Sequence, residues 1–259
     1  MPILTPQPAE SKGETQIIEV RDLKKSFKKH GREVGLLGVS FTVPKGQIVG
    51  VLGENGAGKT TLLRTMTGLL PKQSGTVLYD GEPPERQYRR ISYLTGEGSY
   101  YPCLTVGEYG AFLTDLHPAF DPARYAEFLR FFSLGPDDKI SELSTGQKAR
   151  VELAAGFAKR ADYYLMDEPF LGKDAFTRKD FIKLMSGTLH GEETILLSTH
   201  YLDDVEHFLD RALIFHEGKL VDDCMMDALH DSGGTLLAHM AACCGWNPDH
   251  YLTFKEEQS

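Results

Sequence analysis

The sequence predicts an α/β fold that contains parallel strands and carries an inserted helical subdomain. Short strands that are apolar almost throughout alternate with helical stretches, as in sheets covered by helices on both faces. A glycine-rich turn joins one of these strands to a helix, and a mostly helical segment interrupts the alternation near the middle of the chain. The chain of 259 residues is long enough for one large domain or two small ones.

Four strands and one helix are expected in the first third of the chain. Alternating apolar positions mark the second strand, and the third is apolar almost throughout and ends at the glycine-rich turn. The helix stops before Pro71, and the pair Asp80-Gly81 closes the fourth strand. The strands are expected at 17–20, 39–43, 47–52 and 76–79, and the helix at 59–70.

The middle of the chain, 106–159, is expected to be mostly helical. Within it, Tyr125, Phe128, Leu129 and Phe132 have the spacing of one buried helix face. Alternation of strands and helices then resumes. Strands are expected at 163–166 and 194–198 with a helix at 176–189 between them, and a hairpin turning at Glu217-Gly218 joins strands 211–215 and 219–221.

Composition and charge exclude several classes of protein. With 28 Lys+Arg and 37 Asp+Glu, the net charge of −9 argues against nucleic acid held mainly by charge. The apolar stretches are far shorter than the roughly 20 residues that cross a bilayer. Residues 1–15 lack the layout of a secretory signal and are expected to form a disordered arm.

The four cysteines lack the spacing of a zinc knuckle, so we expect reduced thiols without a metal or redox role. They are Cys103, Cys224, Cys243 and Cys244.

The turn after the third strand has the pattern Gly-x4-Gly-Lys-Thr, which is typical of phosphate binding. Glycines let successive backbone N–H groups face phosphate oxygens, and the following helix adds positive potential at its N-terminus. Lys59 would reach the β- and γ-phosphates, and the Thr60 hydroxyl would ligate magnesium. A glycine-rich turn without a ligand is the alternative. The residues expected to bind nucleotide here are Gly53, Glu54, Asn55, Gly56, Ala57, Gly58, Lys59, Thr60 and Thr61.

Two adjacent carboxylates follow the apolar strand at 163–166. Because successive residues at a strand end diverge, Asp167 can hold magnesium while Glu168 addresses the attacking water. The sequence Asp-Glu-Pro, which ends at Pro169, is also common in loops without a catalytic role. Its position after an apolar strand, in a chain with a phosphate loop, favours the catalytic interpretation.

A third motif, Leu143-Ser144-Thr145-Gly146-Gln147, precedes the helix that leads to this strand. A serine hydroxyl and a glycine N–H at a helix start form an anion-binding site, although Ser144 would also serve as a simple helix cap. With these three motifs the chain resembles the ATP-binding-cassette (ABC) family over about 17–221, and this loop resembles the family's signature. The resemblance implies a P-loop NTPase core of ABC type, with a mixed sheet flanked by helices, an N-terminal antiparallel β-subdomain and an inserted α-helical subdomain.

The resemblance implies further site residues. Phe27 lies where the family has an aromatic ring that stacks on adenine, with a core phenylalanine as the alternative. His200 matches the switch histidine that contacts the γ-phosphate, and Asp174 matches the loop that couples two sites across a dimer. In the family the signature loop docks on ATP held by the opposite subunit. The expected catalytic residues are Glu168, His200 and Lys59, and those expected to bind ATP across the dimer are Ser144, Thr145, Gly146, Gln147 and Asp174.

Three positions depart from the family pattern. The family has Gln or Glu just after the strand that begins near Ile91, where this chain has Gly96 followed by Glu97. Thr145 replaces the usual glycine of the signature, and the coupling loop reads Leu-Gly-Lys rather than Ser-Ala-Leu. Glycine has no side chain to ligate a metal, so Glu97 is expected to substitute. The expected metal ligands are Thr60, Asp167 and Glu97.

The function that the resemblance implies is that of an ATP-hydrolysing subunit that uses ATP and Mg²⁺. It would pair with a second cassette, identical or different, and drive a separately encoded integral-membrane transporter subunit, with export favoured and no nucleic acid as partner. Its expected place is cytoplasmic, peripheral on the inner face of the cell membrane. The alternatives are a soluble ATPase of iron–sulfur assembly and an ATP-binding regulator without turnover. The expected divisions are an arm at 1–15, the nucleotide-binding domain at 16–222 with its helical subdomain at about 97–160, and an unassigned C-terminal extension at 223–259.

Overall fold

A computed structural model describes residues 16–29, 31–96, 98–170, 175–188 and 192–245, which form two sheets with flanking helices. The expected arm at 1–15 lies outside the described residues. The strands are β1 (Gln16–Lys29), β2 (Arg32–Pro44), β3 (Ile48–Gly53), β4 (Ser74–Tyr79), β5 (Ile91–Thr95), β6 (Tyr163–Asp167), β7 (Thr194–Ser198), β8 (Arg211–His216) and β9 (Lys219–Met225). The helices are α1 (Lys59–Met66), α2 (Pro84–Gln87), α3 (Val106–Leu116), α4 (Pro122–Phe131), α5 (Thr145–Ala158), α6 (Ala175–Thr188), α7 (Leu202–Val205), α8 (Met226–Asp231) and α9 (Leu236–Cys244).

The N-terminal sheet is antiparallel and has the order β2-β1-β4. Its first two strands are much longer than the predicted strands at 17–20 and 39–43. Beyond Leu23, the described side chains of β1 are half-buried or exposed, so the distal part of this strand has no apolar pattern to mark it. Irregular register between Val20 and Lys24 further breaks the period-two alternation.

The second sheet is mixed and has the order β5-β6-β7-β3-β8-β9, with only β9 antiparallel to its neighbour. All residues of β6 and β7 are buried, as expected of central parallel strands. The register places Thr95, Asp167 and Ser198 side by side, so β5, β6 and β7 end at the same edge. The predicted α/β fold with an N-terminal antiparallel sheet and inserted helices is confirmed.

Helices α3, α4 and α5 form the inserted subdomain. Tyr125, Phe128 and Leu129 are buried on α4, as their spacing predicts, and Phe132 is buried just after it. They share one hydrophobic cluster with residues of the mixed sheet such as Leu94. The subdomain is therefore packed onto the core through a continuous apolar interior.

Two element ends differ from the prediction. Helix α1 ends at Met66 rather than at 70, because Gly68 has a φ of 79° and terminates the helix. Strand β9 continues to Met225, past the predicted end at 221 and across the expected division between 222 and 223. After it, the buried side chains of Met226 and Leu236 join the cluster beneath the sheet. In the described ranges, no helix has the length and apolarity needed to cross a membrane.

Candidate functional site

The glycine-rich loop lies between the end of β3 and the start of α1, and two of its glycines are required by the backbone. Gly53 has a φ of 146°, and a Cβ there would lie 2.2 Å from the carbonyl oxygen of Phe215. Gly58 has a φ of 107°, and a Cβ there would lie 2.9 Å from the carbonyl oxygen of Gly35. Both conformations and both close approaches exclude a side chain. The loop is therefore held tightly between β8 and the N-terminal sheet.

The first backbone N–H groups of α1 have no hydrogen-bond acceptor within the helix. The Leu62 N–H donates to the Gly58 carbonyl at 2.8 Å, which is the first helical hydrogen bond. The N–H groups of Lys59, Thr60 and Thr61 precede that bond, and no side chain caps this helix. Such donors, together with the helix dipole, suit an anion such as a phosphate group.

Lys59 places a buried ammonium group inside the loop. Its Nζ donates to the carbonyl oxygens of Gly53 at 2.7 Å and Glu54 at 3.1 Å, and lies 3.8 Å from Oε1 of Glu168. Burial lowers the pKa of Lys59, while the negative charges of Glu168 and Asp167 oppose that shift. The loop therefore carries a desolvated donor that is suited to phosphate oxygens.

Asp167, buried at the end of β6, receives hydrogen bonds on both carboxylate oxygens. Its Oδ1 accepts from the hydroxyls of Thr60 at 3.0 Å and Ser198 at 2.9 Å. Its Oδ2 accepts from the Tyr93 hydroxyl at 3.0 Å. A carboxylate beside a threonine hydroxyl is an all-oxygen donor set of the kind that Mg²⁺ prefers, so the residues present fit this ion.

Glu168 and His200 form a pair beside this carboxylate. Glu168 has a φ of 48°, and its N–H is held by the carbonyl oxygen of Ser198 at 3.1 Å and by the hydroxyl of Ser198 at 3.0 Å. Its Oε2 lies 2.8 Å from Nδ1 of His200. The side chain of Glu168 is 16% exposed and that of His200 is 42% exposed. A carboxylate and an imidazole at the mouth of a phosphate site can together orient and deprotonate a water molecule.

The signature residues begin α5, in the helical subdomain. Ser144 caps the helix: its Oγ accepts from the Gln147 N–H at 3.3 Å, and Oε1 of Gln147 accepts from the Ser144 N–H at 3.0 Å. Thr145 and Gly146 form the first positions of the helix. Across the described ranges, no hydrogen bond or ion pair joins these residues to the phosphate loop. The structure therefore brings Lys59 and the other core residues together but leaves the signature apart from them.

Of the other predicted site residues, Phe27 and Gly96 lie in the described part of the chain and two do not. Phe27 lies on β1 and is 44% exposed, with the Lys25 ammonium 5.3 Å from its ring centroid. It is therefore not a core residue. Gly96 follows β5, and its N–H donates to the carbonyl oxygen of Asp167 at 3.1 Å. Glu97 and Asp174 lie outside the described residues.

Three residues of the site were not identified from the sequence. Tyr93 and Ser198 both donate to Asp167, and Arg64 Nε lies 3.4 Å from the Tyr93 hydroxyl. Burial raises the pKa of Tyr93 to about 12, so its hydroxyl keeps its proton at neutral pH. For Tyr93 and Ser198 the available signal was a polar side chain near the carboxyl end of a parallel strand, a signal that Arg64 on α1 does not carry.

A groove of about 350 Å³ separates the core from the helical subdomain. One wall is β5 and the other is formed by α3 and α5. Its lining includes Pro169, which is next to Glu168, and the exposed side chains of Leu69 (67% exposed) and Tyr88 (51% exposed). Burial in this groove lowers the pKa of Lys159 to about 8. The groove is therefore lined both by exposed apolar side chains and by a residue adjacent in sequence to the Glu168 carboxylate.

Comparisons with known proteins agree with this geometry. The family described as "ABC transporter" matches residues 36–171. The ABC transporter ATP-binding protein YtrB of Bacillus subtilis is 34% identical over 221 residues, which cover 83% of this chain and 74% of that protein. The SkfA peptide export ATP-binding protein SkfE of the same species is 30% identical over 80% of this chain and 89% of that protein.

A solved structure shows the same fold. The structure of an ATP-binding subunit of an ABC transporter superposes with a TM-score of 0.75 and 28% identity, and the match covers 87% of this chain and 98% of that one. These relatives favour a transporter ATPase over an iron–sulfur assembly ATPase or a regulator without turnover. The chain belongs to the ABC transporter family and is an ATP-binding, ATP-hydrolysing subunit.

Proposed function

We propose that this chain hydrolyses ATP in the presence of Mg²⁺ at the edge where β5, β6 and β7 end. One observation carries the proposal: Asp167 binds the Thr60 hydroxyl while the adjacent Glu168 is paired with His200 at 2.8 Å. The adjacent carboxylates thus have different closest partners. Asp167 faces the Thr60 hydroxyl, whereas Glu168 lies between Lys59 and His200, where it can address an attacking water.

The remaining site residues have roles that follow from their chemistry. Lys59 and the amides of residues 53–61 bind the phosphates, and the exposed ring of Phe27 is available to stack on adenine. Mg²⁺, when bound, would neutralise phosphate charge, with Thr60 and Asp167 as its ligands and Glu97 as a further candidate. Glu168 accepts a proton from the water. His200 orients Glu168 through their hydrogen bond and contacts the γ-phosphate.

A second cassette completes the site in this proposal. The signature residues Ser144, Thr145, Gly146 and Gln147 begin α5 apart from the phosphate loop of their own chain. A helix start with a serine hydroxyl is suited to an anion, so these residues would contact the γ-phosphate bound by the other cassette, and Asp174 would lie near this contact. ATP would then hold the two cassettes together.

The transporter is completed by a separately encoded membrane subunit. The apolar groove between core and helical subdomain is the docking place, because it reaches from exposed Leu69 to Pro169 beside the catalytic carboxylate. Closure of the two cassettes around ATP would therefore change the position of the groove residues that contact the membrane subunit. Relatives such as SkfE, named for peptide export, support export, and the chain would lie on the cytoplasmic face of the membrane.

Replacement of Glu168 tests the hydrolysis step. Glu168→Gln keeps the side-chain shape but removes the base, so ATP hydrolysis should fall at least about a hundredfold. ATP should still bind and should trap a dimer that light scattering detects. Glu82→Gln, which alters an exposed ion pair with Arg86, is the matched control and should keep full activity. Undiminished hydrolysis by Glu168→Gln would remove Glu168 from the mechanism.

Co-purification in detergent tests the membrane partner. The native complex should yield a stoichiometric integral-membrane subunit. Leu69→Glu places a charge on the groove rim and should reduce recovery of that subunit about tenfold, as loss of an interface anchor does. Leu237→Glu changes an equally apolar exposed side chain on α9 and should not. Equal recovery with both variants would exclude the groove as the docking place.

A further inference from the structure

Three side chains with metal-binding chemistry meet between β9 and α9, and a fourth lies beside one of them. Ligand atoms of Asp222, Cys224 and His239 all lie within 4.8 Å of one another. Nε2 of His239 lies 2.7 Å from Oδ2 of Asp222 and 3.8 Å from Sγ of Cys243. These are a carboxylate, an imidazole and two thiols, which the predicted nucleotide chemistry does not use.

Local geometry explains why these side chains lie near one another. Asp222 and Cys224 are two residues apart on β9, so they point to the same face of the strand. His239 and Cys243 are four residues apart on α9, so they occupy one face of the helix. The strand face is half-buried under the helix, while its other face is exposed. Strand β9 therefore supplies Asp222 and Cys224 and helix α9 supplies His239 to one place, with Cys243 beside His239.

The environment of the cluster suits a bound ion. Asp222 and His239 are 35% and 33% exposed, so an ion from solvent can reach them. The nearby cation Arg211 is bound to Asp223 on the opposite face of the strand, at 2.5 Å, and does not neutralise Asp222. The groups on that face that contact the Asp222 carboxylate are the imidazole of His239 and the thiol of Cys224, both of which are proposed ligands.

We propose that Asp222, Cys224, His239 and Cys243 form a tetrahedral Zn²⁺ site that fastens α9 to the edge strand β9. One carboxylate, one imidazole and two thiolates are ligands that Zn²⁺ accepts, whereas magnesium and calcium prefer oxygen alone. Zn–ligand bonds of about 2.0–2.3 Å require donor atoms roughly 3.3–3.8 Å apart. The 3.8 Å between Cys243 and His239 lies in this range, and the ligand atoms of Asp222, Cys224 and His239 lie within 4.8 Å of one another. Side-chain rotations that bring the Cys243 thiol to the other two ligands would complete the tetrahedron.

Binding releases protons in a defined way. The thiols of Cys224 and Cys243 each lose a proton to solvent and bind as thiolates, and His239 binds through a deprotonated Nε2 as neutral imidazole. The hydrogen bond between His239 and Asp222 is replaced by two bonds to the ion. No oxidant is consumed, which distinguishes this site from a disulfide between the same two cysteines.

The test uses the full-length chain, purified under reducing conditions, with Zn²⁺ and Co²⁺ as probes. We expect about one Zn²⁺ per chain by elemental analysis, and with Co²⁺ the visible bands of a tetrahedral ion plus a sulfur-to-cobalt charge-transfer band. Cys224→Ser, Cys243→Ser and His239→Ala should each weaken Zn²⁺ binding, measured by competition with a chromophoric chelator, at least about tenfold. Cys244→Ser, the next residue on the same helix, and the exposed Cys103→Ser are matched controls and should bind Zn²⁺ as the unaltered chain does.

Several results would overturn the site. These are a wild-type chain that gives no charge-transfer band with Co²⁺, equal Zn²⁺ affinity in Cys224→Ser and Cys244→Ser, or a Cys224–Cys243 disulfide that forms in the presence of excess Zn²⁺. The Co²⁺ absorption spectrum of the wild-type chain tests the site even if a variant does not fold. Mg²⁺-dependent hydrolysis of ATP by the zinc-free chain is measured in parallel, so failure of the Zn²⁺ site is distinct from failure of the proposed function.

Discussion

At the residue scale, Asp167 is the group on which the polar contacts of the site converge. Donors reach it from three elements: Thr60 on α1, Ser198 on β7 and Tyr93 on β5. In this chain Gly96 occupies the position where a side chain would usually follow β5. The Tyr93 hydroxyl on β5 donates to Oδ2 of this carboxylate and so helps to fix its orientation.

Removal of the Tyr93 hydroxyl should weaken the Mg²⁺-dependent part of nucleotide binding. Tyr93→Phe keeps the ring but leaves Oδ2 of Asp167 without this donor. A hydrogen bond to a charged group is worth about 1.5 kcal/mol, so the Mg²⁺ concentration for half-maximal hydrolysis should rise about tenfold. ATP binding measured in the presence of EDTA should change little.

Tyr88→Phe is the control for this experiment, because the Tyr88 ring is exposed and lies outside the site. An unchanged Mg²⁺ requirement in Tyr93→Phe would show that Thr60 and Ser198 alone orient Asp167. An equal loss of binding with and without Mg²⁺ would instead indicate a general structural role of the hydroxyl.

At the scale of elements, how well the sequence predicts a strand depends on how completely the strand is buried. The strands expected at 163–166 and 194–198 agree closely with β6 and β7, whose residues are all buried. Strand β1 was predicted over only 17–20, because its distal half pairs with β2 through the backbone while its side chains remain partly in water. Backbone pairing leaves no apolar pattern in the sequence.

Functional sites, like strands, are recognisable in the sequence only where their residues form a local pattern. The residues of the phosphate loop are contiguous in sequence and are recognisable there, because a local turn and helix create the chemistry. Tyr93 and Ser198 act through tertiary neighbours. The sequence predicts no metal role for Cys224 and Cys243 because no local spacing links them, whereas the Zn²⁺ site proposed above depends on tertiary packing. Only packing of a helix on a strand brings such ligands together.

At the scale of the whole molecule, the two motifs of the proposed shared site lie on different subdomains. The phosphate loop and the paired carboxylates belong to the core, whereas Ser144 begins α5 of the helical insertion. Within the described ranges these halves share no hydrogen bond or ion pair. Two copies arranged about a twofold axis would place each signature on the other copy's phosphate loop and so form two complete sites.

Mixing two inactive variants tests this arrangement. Lys59→Ala removes the buried ammonium from the phosphate loop. Ser144→Asp keeps a good helix cap but places a carboxylate where the γ-phosphate of the other copy would lie, so repulsion should abolish hydrolysis without unfolding α5. Thr105→Asp, at the equivalent cap of α3, controls for the added charge and should remain active. When the two inactive variants are mixed, a heterodimer has one fully intact site, and about a quarter of the wild-type rate should return. A mixture that stays inactive, although both variants fold and Ser144→Asp still binds ATP, would contradict sites shared between two copies of this chain.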